Sequence, residues 1–250
     1  MTSTYEAGPD EEHGSGLLWV LLGMMVMSWM LRILDVAILL LGRKAKQVSR
    51  RALLAAYGRM WRGMSKRSPF EEGDFARVQA ARAAGLSQKE LVYGETPLWT
   101  ALRALRRAGV GEHSNLLDIG CGRGRVLLAS AMLGAHSRGV DVLKEHVDFA
   151  EDALGELDGV VVEVKDALAV DLTGISHVFL TWTCMSQKTR SRVARHLASA
   201  DVGTKLLCVS HPPPEQGWRV LWHGRPFFTW GKADLYLAER SEEAENERAA

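Results

Sequence analysis

The segment LLDIGCGRGRVLL, residues 116–128, constrains the fold most. A strand-length apolar run, Asn115–Ile119, leads into glycines at 120, 122 and 124, and a helical pattern through Val126, Leu127, Leu128 and Met132 follows. Glycine adopts left-handed backbone angles without steric cost and leaves the main chain bare, so a ligand can lie against it at the positive end of the next helix. The turn therefore predicts a parallel βα unit and a ligand with an anionic group.

Downstream, strand-length apolar runs alternate with helical patterns. A strand ends at Val140-Asp141, a helix is expected over 144–157, and strands over 160–164, 178–182 and 205–210, with a helix over 187–197 between the last two. Residues 218–223 and 227–237 read as an antiparallel pair. The expected fold is a doubly wound, mostly parallel α/β sheet with a C-terminal antiparallel hairpin, over 68–240. The Glu- and Ala-rich tail, 241–250, has the composition of a disordered segment.

The first seventy residues read differently. After an acidic tail, 1–15, residues 16–42 form an apolar run about as long as the ~20 residues that cross a bilayer. Arg32 and Asp35 interrupt it, three apart, where a helix would let them pair. A secretory signal would begin with basic residues, whereas Glu6, Asp10, Glu11 and Glu12 stand here. Arg43, Lys44, Lys46, Arg50 and Arg51 follow the run, so a single-pass transmembrane helix with the remainder on the cytoplasmic side is expected. An amphipathic or buried helix that never spans is the rival. Over 43–67 the basic residues interleave with Leu53, Leu54, Tyr57, Met60 and Trp61, which suits a juxtamembrane helix on anionic headgroups or one packed on the catalytic domain.

Balanced charge, 31 Lys+Arg against 30 Asp+Glu, argues against nucleic acid as a partner bound through overall charge. Cys121, Cys184 and Cys208, odd in number and without CxxC spacing, indicate neither a disulfide framework nor a metal site.

A dinucleotide-binding turn would carry a glycine at the sixth position, where Arg125 stands. Asp118, just before the glycines, suits the ammonium of an amino acid better than a pyrophosphate. Asp141 lies about the ~20 residues downstream at which an acid meets ribose hydroxyls, and Asp166 with Ala167 can take the adenine amino group and ring face. A ligand with ammonium, carboxylate and adenosine fits all of these: S-adenosylmethionine. Asp141 and Asp166 also suit helix N-caps, and a domain that binds NAD, or nothing, is the alternative.

On D-I-G-C-G-R-G, G-V-D at 139–141 and K-D-A at 165–167, the sequence resembles the class I methyltransferases over about 88–240. The resemblance implies cofactor contacts at Asp118, Gly120, Cys121, Gly122, Gly124, Asp141, Asp166, Ala167 and Thr181. Tyr93-Gly94-Glu95-Thr96 resembles the cofactor-covering loop of the disruptor-of-telomeric-silencing lysine methyltransferases, which implies cofactor contacts at Tyr93, Glu95 and Thr96. At the fourth strand Thr181-Trp182-Thr183-Cys184 replaces that family's Asn-rich motif. The architecture is also similar to that of membrane-anchored lysine methyltransferases that modify a small subunit of the ATP synthase.

Methyl transfer from a sulfonium needs alignment and exclusion of water more than acid–base chemistry. A lysine acceptor must still lose a proton, to Tyr93, Glu95 or a bound water. Trp182 walls the methyl channel or is a core tryptophan. Cys184 has no placed histidine to activate it, His211 beside three prolines shapes the substrate mouth, and Trp230-Gly231 packs. The expected activity is membrane-anchored methylation of a protein lysine. A lipid or small-molecule acceptor, or a cofactor-binding assembly factor without activity, are the alternatives.

Overall fold

The computed structural model describes residues 26, 29, 30, 32–64, 82, 83, 85–87, 90 and 94–242. Helices α1 (Arg50–Met64) and α2 (Leu98–Ala108) precede β1 (Asn115–Ile119). There follow α3 (Arg125–Met132), β2 (His136–Asp141), α4 (Lys144–Leu154), β3 (Val160–Val164), β4 (His177–Thr181), α5 (Gln187–Leu197) and β5 (Lys205–Val209). The chain closes with β6 (Trp218–Gly224), β7 (Phe227–Phe228), β8 (Gly231–Lys232) and β9 (Leu235–Arg240).

Among the described residues seven strands form one sheet in the order β3-β2-β1-β4-β5-β9-β6. The first five pair in parallel, and β9 runs antiparallel between β5 and β6. In β1 and β4 four successive residues are buried, as strands covered on both faces must be, hence their unbroken apolar runs. One core packs Leu116, Phe179 and Leu207 under α2 and α3; the other packs Leu117, Leu180 and Leu206 under α5. The expected 227–237 strand is instead broken: β7 and β8 make their own two-stranded hairpin, and only β9 joins the main sheet.

Helix α1 turns Leu53, Ala56, Tyr57 and Met60 into the first core. Leu39 joins them at 0% exposure from a helical segment, 32–41. Arg50 donates to the carbonyls of Leu39, Leu40 and Gly42, satisfying groups that a helix end leaves without partners. The expected Arg32–Asp35 pair is not formed: Arg32 stacks on Trp61 at 4.0 Å, and Asp35 points into the domain. No described helix is long and apolar enough to cross a membrane. Residues 16–25, 27, 28 and 31 of the expected span, and the stretches 1–15 and 243–250, lie outside the described residues.

Candidate functional site

Between β1 and β4 the strand order reverses, and at such points the carboxyl ends of parallel strands leave a crevice. A cavity of about 370 Å³ occupies it, walled by residues that follow β1, β2, β3 and β4. Gly120, at φ +73°, has open space where a Cβ would stand, so ligand atoms can reach the main chain there.

Asp118 forms part of the wall beneath this turn and is 3% exposed. Its Oδ2 has no hydrogen-bond partner. Burial, with a further push from Asp141, raises its carboxyl to about 8. A buried carboxyl without a partner is costly, and an ammonium beside it would remove the cost. Cys121 also lines the cavity; burial pushes its thiol well up, so it stays neutral.

Asp141 serves the local backbone first. Oδ2 accepts from Gly122 N at 3.0 Å and Oδ1 from Leu143 N at 2.9 Å, which ties the glycine turn to the start of α4. His146 Nδ1 lies 3.5 Å from Oδ2. Asp166 similarly caps the short 3₁₀ turn Ala167–Ala169 through Oδ1, 3.0 Å from Leu168 N. Both the capping and the ligand-facing roles are therefore available to each acid, because a carboxylate has about four acceptor sites and both line the cavity.

Glu95 and Thr96 reach the cavity from a loop, 94–97, and Thr181 from the end of β4. Glu95 is not free to act as a base: its Oε2 meets Arg125 Nε at 2.7 Å. Arg125 also lines the cavity and places Nη1 2.7 Å from Asp35 Oδ2. Burial works against the guanidinium's charge, but Glu95 and Asp35 outweigh it and hold the proton more firmly.

Two expected residues fall elsewhere. Trp182 is a core side chain: it is buried, absent from the cavity wall, and donates Nε1 to the His211 carbonyl at 3.0 Å. Gly124 is a packing position, since a Cβ there would meet Leu154 Cδ1 at 2.5 Å. Tyr93 lies outside the described residues.

Other wall residues were missed. Trp230, read as packing, covers Gly94 so closely that a Cβ on Gly94 would lie 2.4 Å from its ring. Glu90 accepts from Ser87 N at 2.8 Å and from Ser186 N at 2.7 Å, pinning the start of α5 beside the cavity. Near the end of β5, Ser210 takes φ +76°, a strained angle for a residue with a side chain, and shares a 2.6 Å hydrogen bond with Thr183 of the wall.

No protein-family model matches the sequence, and no curated protein matches it. Solved structures do match the fold. An RNA methyltransferase from Salinibacter ruber, crystallised with S-adenosyl-L-homocysteine, has TM-score 0.51 at 21% identity over 59% of this chain and 94% of that one. A proposed RNA methyltransferase from Pyrococcus horikoshii has TM-score 0.51 at 16% identity, over 68% of this chain and all of the other. The fold is that of the class I methyltransferases. TrmN from Thermus thermophilus shares it at TM-score 0.50 and 15% identity, over 61% of this chain and 51% of its own.

Proposed function

We propose that this chain is an S-adenosylmethionine-dependent methyltransferase, tied to a membrane by the apolar segment 16–42 with its domain on the cytoplasmic side, acting on nitrogen in a protein lysine. The observation that carries the cofactor assignment is the unpartnered Oδ2 of buried Asp118 beside the bare backbone at Gly120. That pairing suits an amino acid's ammonium.

Asp118 would take the ammonium, with the bare main chain at Gly120 leaving room for the amino-acid end, Asp141 the ribose hydroxyls, and Asp166 with Ala167 the adenine. S-adenosylmethionine supplies a methyl group on a sulfonium, open to in-line attack. The chain's part is to align the acceptor beside Thr181 and Thr183 and to keep water out under loop 94–97. With Glu95 engaged by Arg125, a bound water is the better receiver of the acceptor's proton.

Lysine as acceptor rests on the resemblance of residues 93–96 to a lysine methyltransferase's covering loop. A small apolar or lipid acceptor is favoured by Leu86, Phe179, Met185 and Val193 around the rest of the cavity. For the membrane, the support is the outward apolar face at Trp29, Met30, Ile33 and Leu41, the last 84% exposed.

Calorimetric titration of the full chain with S-adenosylhomocysteine, with NAD as control, tests the cofactor. Binding of the former alone is expected; binding of NAD, or of neither, would defeat the reading. Labelled S-adenosylmethionine added to membranes should then mark protein; label in extracted lipid would select the second acceptor, and binding without transfer an inactive assembly factor. Alkaline carbonate should leave the protein in the membrane pellet, whereas extraction would show a helix that does not span.

A further inference from the structure

We infer that Asp35 is a positioning residue for the cavity: from the apolar N-terminal segment it reaches through Arg125 to Glu95 and so holds loop 94–97 in place. The inference rests on the cofactor reading for its meaning, but its geometry stands alone. Asp35 and Arg125 are 90 residues apart in sequence. Arg125 is the first residue of α3, immediately after the glycine turn, and it divides its guanidinium between two acids, Asp35 Oδ2 and Glu95 Oε2, each at 2.7 Å. The side chains of Arg125, Asp35 and Glu95 are only 14%, 2% and 11% exposed, so little solvent screens them.

An arginine whose planar fork binds two carboxylates at different edges has its orientation fixed by both. The loop is held at its other side by the β7–β8 hairpin: Glu95 N donates to Thr229 Oγ1 at 2.9 Å, and Thr229 N to the Glu95 carbonyl at 3.3 Å. Asp35 thus backs, through Arg125, an attachment of the loop whose Gly94, Glu95 and Thr96 wall the cavity. Packing alone gives no reason for this arrangement, because apolar residues of similar volume in place of a buried ion pair are often as stable or more so. Tyr57 provides an internal control. Its hydroxyl donates to the same Oδ2 at 3.2 Å without itself bonding to the loop.

The test compares full-length wild type, Asp35→Asn and Tyr57→Phe by hydrogen exchange and by S-adenosylhomocysteine titration. Asp35→Asn keeps the shape and removes the charge. It should speed exchange at residues 94–96 about tenfold and weaken the ligand by about tenfold, the scale of one charge-assisted hydrogen bond. Tyr57→Phe, although it loosens the same helix, should change either by no more than about twofold. Unchanged loop exchange in Asp35→Asn, or equal effects of the two variants, overturns the positioning role even if the ligand binds. A wild type that ignores the ligand but shows the expected exchange pattern overturns the cofactor reading and supports the positioning role.

Discussion

With its carboxyl pushed up to about 8 by burial and by Asp141, Asp118 is protonated across most of the neutral range when no cation stands beside it. An ammonium favours the ionised form, so binding the amino-acid end of the ligand should release a proton below about pH 8. Titrations in buffers of different ionisation enthalpy should show that release, and affinity should rise with pH until about 8. The stability effect has the opposite sign. The unfolded chain ionises near the ordinary 3.8 and the folded one near 8, so Asp118 costs nothing below 3.8 and progressively more as pH climbs to 8. Asp118→Asn should therefore melt above wild type at pH 8 and with it at pH 3, and lose ligand affinity. Asp141→Ala should lose ligand affinity too, and also about 1–3 kcal/mol of stability, since Gly122 N and Leu143 N lose their acceptor. At Gly124→Ala, with φ +80° and Leu154 in the way, denaturant melts should show a loss of about 1–3 kcal/mol. At this scale the sequence was readable wherever a residue type answers to its own neighbours: the acids that close strands, the glycines that turn. It was not readable where partners are distant, as with Arg125 and Asp35, or where one glycine spacing serves both a ligand and a packed helix.

Glu90 acts at the level of elements, fastening the start of α5 to a segment distant in sequence. Burial raises its carboxyl, but hydrogen bonds from Thr189, Ser87 and Ser186 outweigh that and lower it to about 2. A folded value below the ordinary 4.5 stabilises the fold above 4.5, and that contribution is lost as pH falls through about 2. Thermal melts between pH 6 and 2 should fall more steeply for wild type than for Glu90→Gln; parallel curves would remove Glu90 from the acid response. The parallel strands were legible because burial on both faces forces continuous apolar sequence. The 227–237 stretch was not, because Pro226 and Gly231 bound pieces too short to show a period, and hydrogen bonding to α2 through Thr100 and the Phe227 carbonyl places the hairpin. Helix α1 had an amphipathic pattern that fits lipid or protein equally, and the side facing α3 and α4 turned out to be protein.

Across the whole molecule, hydropathy divides the chain near residue 42, whereas packing does not. Leu39 is as deeply buried as any residue under the sheet, Arg50 closes the helix that carries it, and the Arg43 carbonyl accepts from Arg106 at 2.7 Å. The α/β architecture follows from local alternation that one sequence displays in order; the docking of the first described helix depends on pairs that no local pattern reveals. An apolar N-terminal segment invites treatment as an interchangeable part, but this one brings a carboxylate, Asp35, to Arg125. A chimera with another protein's apolar helix in place of 16–42 would inherit the hydrophobicity and lose Asp35. It should leave Arg125 short of one acid and the loop above the cavity slack.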